Sequence, residues 1–235
     1  MRLSAEGLCA EAGTRPVLAG VSFTVATGEL VAIVGPSGSG KSALLRALLG
    51  LLPFHPGLTG GRVIVDGEPV EPSRLRGRVV SKLYQDARGS LDPLSTVAAS
   101  IRRAGGDPGA CLQRAGLGDA SPVATRYPHE LSGGMAQRAA LAVALAAASP
   151  VLVCDEPTTG LDAPVQREIL AELRSLREHA VVLVTHDLEL VDPACDRVYV
   201  LDGGRVVDEA PRPSSLRGSG RALWQATLAL RRRRA

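Results

Sequence analysis

Three uninterrupted apolar runs constrain this chain more than any other feature: "ELVAIV" ending at Val34, "VLVC" at residues 151–154 and "AVVLVT" at residues 180–185. A strand with one wet face alternates apolar and polar residues. Runs without alternation are expected where both faces are covered, as in a parallel sheet between other layers. Each run ends in polar or glycine-rich residues, "GPSGSGKS", "DEPTTG" and "HD" respectively. Ligands bind beyond the carboxyl ends of the strands in open parallel sheets, so three such endings predict one shared site.

The rest of the chain is organised around these runs. Residues 17–34 read as strand, turn at Thr27-Gly28, strand. "GRVIVDGEPV" and "RVVSKLYQ" are two short β signals, and "DRVYVLDGGRVVDEA" reads as a hairpin turning at Asp202-Gly203-Gly204. Residues 87–149 carry short helical patterns with Gly and Pro punctuation and no convincing strand. They are read as a helical subdomain inserted into an α/β core made of residues 1–86 and 150–235, all within one domain. "GSGRALWQATLALRRRRA" reads as a final helix, packed by Trp224 and ending in a solvated run of four arginines, Arg231 to Arg234.

Composition narrows the class. With 45% hydrophobic and 22% charged residues and a net charge of +3, the chain has a soluble globular profile and not that of a nucleic-acid coat. The longest apolar stretch, about residues 139–148, is about half of a bilayer span, and "MRLSAEGLCA" lacks the apolar core of a signal peptide. A cytoplasmic location is expected. Cys9, Cys111, Cys154 and Cys195 are scattered without a C-x-x-C pair, which predicts reduced thiols and no metal or iron–sulfur cluster. The chain has 25 arginines and two lysines, Lys41 and Lys82, so either lysine is a candidate for a special role.

Lys41 lies inside "GPSGSGKS", which is Gly35, Pro36, Ser37, Gly38, Ser39, Gly40, Lys41 and Ser42. This fits G-x-x-x-x-G-K-[ST] after a strand and before the helical "SALLRALLG". The glycines let backbone N–H groups wrap phosphates, and the helix N-terminus adds its dipole. Lys41 is expected to neutralise the β- and γ-phosphates of a nucleotide, with the Ser42 hydroxyl on Mg²⁺. Asp155 and Glu156 are paired carboxylates at a strand end. Asp155 is suited to Mg²⁺ through its water shell, and Glu156 to taking a proton from an attacking water. His186, at the end of the third run, is placed to touch the γ-phosphate or orient that water. Gln85, after "VVSKLY", offers an amide oxygen to Mg²⁺ or the water.

One further stretch, "YPHELSGGMAQRAALAVALA", starts an Ala- and Leu-rich helix with Ser132, Gly133 and Gly134. The Ser hydroxyl is a suitable cap. Capping needs neither glycine, and the pair leaves the backbone bare for a large anion at the positive end of the helix.

The ordered set of Gly35 to Ser42, Gln85, "LSGGMAQR", "VLVCDEP", "GLD" and "THD" resembles the ATP-binding cassette (ABC) ATPases over essentially the whole chain. The resemblance implies a P-loop NTPase, RecA-like α/β core with an antiparallel β subdomain and the inserted helical subdomain. It implies two cassettes facing head to tail with two ATP molecules between them. Ser132, Gly133 and Gly134 would then cap the γ-phosphate held by the opposite subunit, and Asp162 would communicate between the two sites. "LYQDARGSLDP", "YPHELSGGMAQR" and "DEPTTGLDAPVQREIL" resemble the ATPases of peptide and nickel importers. The implied cofactors are ATP and Mg²⁺. The implied partners are a second ABC ATPase subunit, identical or different, transmembrane permease subunits reached through the Gln85 segment, and indirectly an extracytoplasmic solute-binding protein. No nucleic acid is expected, and the place is the cytoplasmic side of the cell membrane. Two other readings share the motifs: an exporter subunit and a soluble ABC ATPase outside transport. The chain departs from the family at Ala12, where an aromatic that stacks on adenine is usual, and at Ala87, where its subfamily has Pro.

Overall fold

The apolar runs form the centre of a six-stranded sheet in this computed structural model, which describes residues 1–118 and 121–232. The side chains of Trp224, Arg231 and Arg232 and the whole of Arg233 and Arg234 lie outside what is described. In chain order the elements are β1 (Arg2–Ala12), β2 (Arg15–Ala26), β3 (Leu30–Val34), α1 (Lys41–Leu48), β4 (Pro56–Val65), β5 (Glu68–Val70) and β6 (Val80–Leu83). Five helices follow, α2 (Ala87–Ser90), α3 (Val97–Arg103), α4 (Pro108–Arg114), α5 (Ser121–Ala124) and α6 (Gly133–Ala146). The chain then returns through β7 (Val151–Asp155), α7 (Ala163–Ser175), β8 (Ala180–Thr185), α8 (Leu188–Val191), β9 (Arg197–Asp202), β10 (Arg205–Ala210) and α9 (Gly218–Arg232).

The larger sheet has the order β10-β9-β3-β8-β7-β6. Its strands are parallel from β9 to β6, and β10 returns antiparallel after the turn at Gly203-Gly204. All five residues of β3 and all six of β8 are buried. The two-sided burial resolves by alternation. Val31 and Ile33 join a core with Leu44, Leu45 and Leu48 of α1 and with Leu3, Leu8 and Phe23. Leu30, Ala32 and Val34 join another with Leu141 and Leu145 of α6 and Ile169 and Leu173 of α7. Each such aliphatic side chain contributes about 1.5–3 kcal/mol by leaving water.

A second, antiparallel sheet has the order β2-β1-β4-β5. Its strand β1 escapes the sequence reading because its pairing with β2 shifts register between Ala5 and Leu8 and again between Leu8 and Cys9. Gly7, at φ +60, sits in the first shift, and the bulge breaks the period-two pattern that marks a strand. The two β signals before the helices also part company: β4 and β5 belong to this sheet, whereas β6 is the edge of the parallel one.

Residues between β6 and β7 build the helical layer around α6, whose buried face is mostly alanine. Arg138 of α6 ties it to α7, with Nη2 2.6 Å from Glu168 and Nε 3.0 Å from Glu172. Among the described residues no helix is long and apolar enough to cross a membrane.

Burial holds the Glu172 carboxyl above its usual range while Arg138 pulls it back down. Arg138→Ala is expected to cost about 2 kcal/mol near pH 8 by leaving that carboxylate unpaired. The folded pKa of Glu172 then rises further above the unfolded value. The folded variant therefore binds a proton that the unfolded chain does not, and its deficit shrinks as pH falls towards about 5.5. Urea denaturation at the two pH values checks both the cost and its sign.

Candidate functional site

Parallel register levels the strand ends. Val34 stands opposite Thr185, Asp155 opposite Val184 and Leu83 opposite Cys154. The residues that follow β3, β7, β8 and β6 therefore emerge along one edge of the sheet, bringing Gly35, Glu156, His186 and Gln85 to a common rim.

The loop from Gly35 to Gly40 turns tightly onto α1. A Cβ at Gly35 would stand 2.1 Å from the Leu201 carbonyl oxygen and 2.7 Å from Ser39 Oγ, so only glycine fits. Gly38 and Gly40 adopt φ +81 and +105, the left-handed region that glycine enters at low cost. The β9–β10 turn braces the loop, since Gly204 N–H donates to the Ser39 carbonyl at 2.9 Å and Ala19 N–H to that of Gly204 at 2.8 Å. Asp86, Thr96, Asp107, Ser132 and Asp162 cap α2, α3, α4, α6 and α7 through their side chains. Helix α1 begins at Gly40 with no side-chain cap and no acidic residue in its first turn. Its leading N–H groups and dipole are therefore directed at whatever enters the loop. Ser39 Oγ is buried without a hydrogen-bond partner. These features fit the phosphates of a nucleotide.

Lys41 is 7% exposed, and its Nζ donates to the carbonyls of Gly35 at 2.7 Å and Pro36 at 2.8 Å. Burial lowers its pKa, and the nearby charges of Glu156 and Asp155 oppose that shift. The lysine and both carboxylates thus share one electrostatic field. Glu156 Oε1 lies 3.2 Å from His186 Nδ1, and its Oε2 accepts from Thr159 Oγ1 at 3.1 Å. Glu156 has φ +46, a strained value for a side chain of its kind, held by its N–H donating to Val184 O at 2.8 Å. The side chain of His186 is 61% exposed and that of Glu156 21%. Asp155 instead pairs with Lys82, Nζ to Oδ2 at 3.0 Å. Gln85 is exposed and lines an open cleft of about 700 Å³ together with Asp155, Lys82, Tyr84 and Arg46. The Ser42 hydroxyl, the Gln85 amide and the Asp155 carboxylate are hard oxygen donors suited to Mg²⁺.

Ser132, Gly133 and Gly134 lie elsewhere. They line a hollow of about 330 Å³ with Arg138, Gly160, Leu161, Asp162 and Val165, and no residue of the 35–42 loop lines it. Ser132 Oγ caps α6 by accepting from Met135 N–H at 3.3 Å. The bare-backbone reading of the two glycines needs an addition: a Cβ at Gly134 would come within 3.0 Å of Val165 Cγ1. Gly134 therefore also serves close packing of α6 on α7. Asp162 caps α7, accepting from Val165 N–H at 3.0 Å. Ala12 pairs with Arg15 across the β1–β2 turn. Ala87 is the first residue of α2, a position that also suits proline.

Two site residues escape the sequence reading in different ways. Thr159 falls three residues after Glu156, a spacing that could have been noticed. Lys82 stands out by rarity alone, and its pairing with Asp155 spans 73 residues.

A parallel sheet with a phosphate-type loop after one strand and paired carboxylates after the strand two places along is the P-loop NTPase fold. A family model described as "ABC transporter" matches residues 18–159. The nickel import ATP-binding protein NikD of Brucella suis is 38% identical over 89% of this chain and 87% of its own length. A peptide ABC transporter ATP-binding protein of Sinorhizobium fredii is 38% identical over 82% of this chain and 64% of its own. A solved ATP-binding cassette, dimeric and bound to ADP and Pi after hydrolysis, superposes with a TM-score of 0.73 at 28% identity, covering 92% of this chain and 99% of that one. The chain belongs to the ABC transporter family.

Gly35→Ala and Gly38→Ala separate close contact from backbone strain in the loop. Nothing lies within 4 Å of a Cβ at Gly38, so that variant is expected to lose about 1 kcal/mol through its φ alone. Gly35→Ala, forced against Leu201, is expected to lose more than about 2 kcal/mol and to bind ATP at least tenfold more weakly. Thermal unfolding and nucleotide titration of the two variants measure the difference.

Proposed function

We propose that this chain is the ATP-hydrolysing subunit of an ABC importer, peripheral on the cytoplasmic face of the membrane and working as one of two cassettes. The observation that carries the reading is the pairing of Glu156 with His186 at 3.2 Å, beside Lys41 and at the ends of adjacent strands. Lys41 and the loop amides hold the triphosphate. Glu156, fixed by Thr159 and His186, accepts the proton of the attacking water, and His186 orients it against the γ-phosphate. Ser42, Gln85 and Asp155 would hold Mg²⁺, which would supply neutralisation of phosphate charge.

The hollow at Ser132, Gly133 and Gly134 supplies a second helix N-terminus with no loop residue of its own chain beside it. That separation favours completion of the ATP cage across a dimer. The relatives point to nickel or peptide import, with permease subunits as the driven partner and a solute-binding protein delivering cargo outside.

Glu156→Gln keeps the shape of the side chain and removes the base, so steady-state ATP turnover is expected to fall about 100-fold or more. Light scattering of this variant with Mg²⁺-ATP is expected to show a dimer that is absent without nucleotide. Undiminished turnover would sink the role of Glu156. A monomer that binds ATP would sink self-pairing and point to a different partner cassette.

A further inference from the structure

We propose that Lys82 is a standing counter-ion to Asp155 that sets how much Mg²⁺ the site requires. The inference rests on the ATPase reading above and concerns a residue that the reading does not use. Strand β6 pairs in register with β7, placing Lys82 opposite Val153. From there the side chain reaches along the sheet until Nζ lies 3.0 Å from Asp155 Oδ2. The two side chains are 12% and 16% exposed, so the pair is shielded from the solvent and salt that weaken surface ion pairs. The ammonium also stands over the Tyr84 ring, 4.6 Å from its centroid.

The choice of lysine is informative in a chain with 25 arginines. A guanidinium beside a carboxylate tends to clasp both oxygens, whereas an ammonium is a point charge that needs one. Lys82 engages Oδ2 and leaves Oδ1 outside that bond, on a residue that lines the cleft together with Gln85. Asp155 is thereby oriented, but part of its charge is cancelled before any metal arrives. A divalent cation entering beside it meets both a weakened carboxylate and a repelling ammonium. The site therefore fills only at raised Mg²⁺, and nucleotide binding is tied to the concentration of the free ion.

The test uses the Glu156→Gln chain, so that hydrolysis does not intervene, and follows binding of a fluorescent ATP analogue as Mg²⁺ is raised. Lys82→Met keeps the apolar stem and removes the charge. The Mg²⁺ concentration at half-saturation is expected to fall about tenfold, while Lys82→Arg, still cationic, gives no fall. Thermal unfolding checks that each variant is folded, and Lys82→Gln replaces the methionine variant if that one fails to fold. A midpoint that stays or rises on removing the charge overturns the inference and leaves the ATPase reading intact. If no variant binds the analogue with or without Mg²⁺, and the parent does not either, the ATPase reading falls and this inference with it.

Discussion

Covering both faces of the parallel sheet is the constraint from which the site follows. The strands β3, β7 and β8 have no wet face, so their register is pinned by two cores at once, and a slip of one residue would exchange every side chain between them. Pinned register makes the strand ends level. Level ends let residues from four distant segments meet without a loop long enough to wander. The strained backbone at Glu156 is tolerable for the same reason: the buried strand before it and the bond to Val184 O hold it in place.

Around that frame, support comes from outside the site. The β9–β10 turn, far along the chain from Gly35, braces the loop after β3 through Gly204. Helix α6 packs with alanines and glycines, and its polar ties to α7 run through Arg138. The helical layer is thus fastened to the core by small residues and ion pairs together with leucines such as Leu141 and Leu145, which join the aliphatic core of the sheet.

Legibility in the sequence followed the range of the interactions. The apolar runs, the loop from Gly35 to Ser42 and the hairpin at Gly203-Gly204 are local patterns and could be read directly. Helical character between β6 and β7 was legible too, because Gly and Pro punctuate it. Strand β1 was not, since its bulge at Gly7 destroys the alternation by which strands are recognised. The second demand on Gly134, contact with Val165 on another helix, is invisible without three dimensions. The same holds for Lys82, whose partner is fixed by strand order and not by spacing.

The scarcity of lysine has a chemical consequence. Apart from its N-terminus this chain carries two primary amines, Lys41 in the loop after β3 and Lys82 beside Asp155, and both have little surface open to solvent. Amine-directed reagents, which on most proteins scatter over the surface, would here be confined to the chain terminus and the site. Acylation of the two lysines would thus serve as a chemical footprint of what occupies the cleft, read by mass alone.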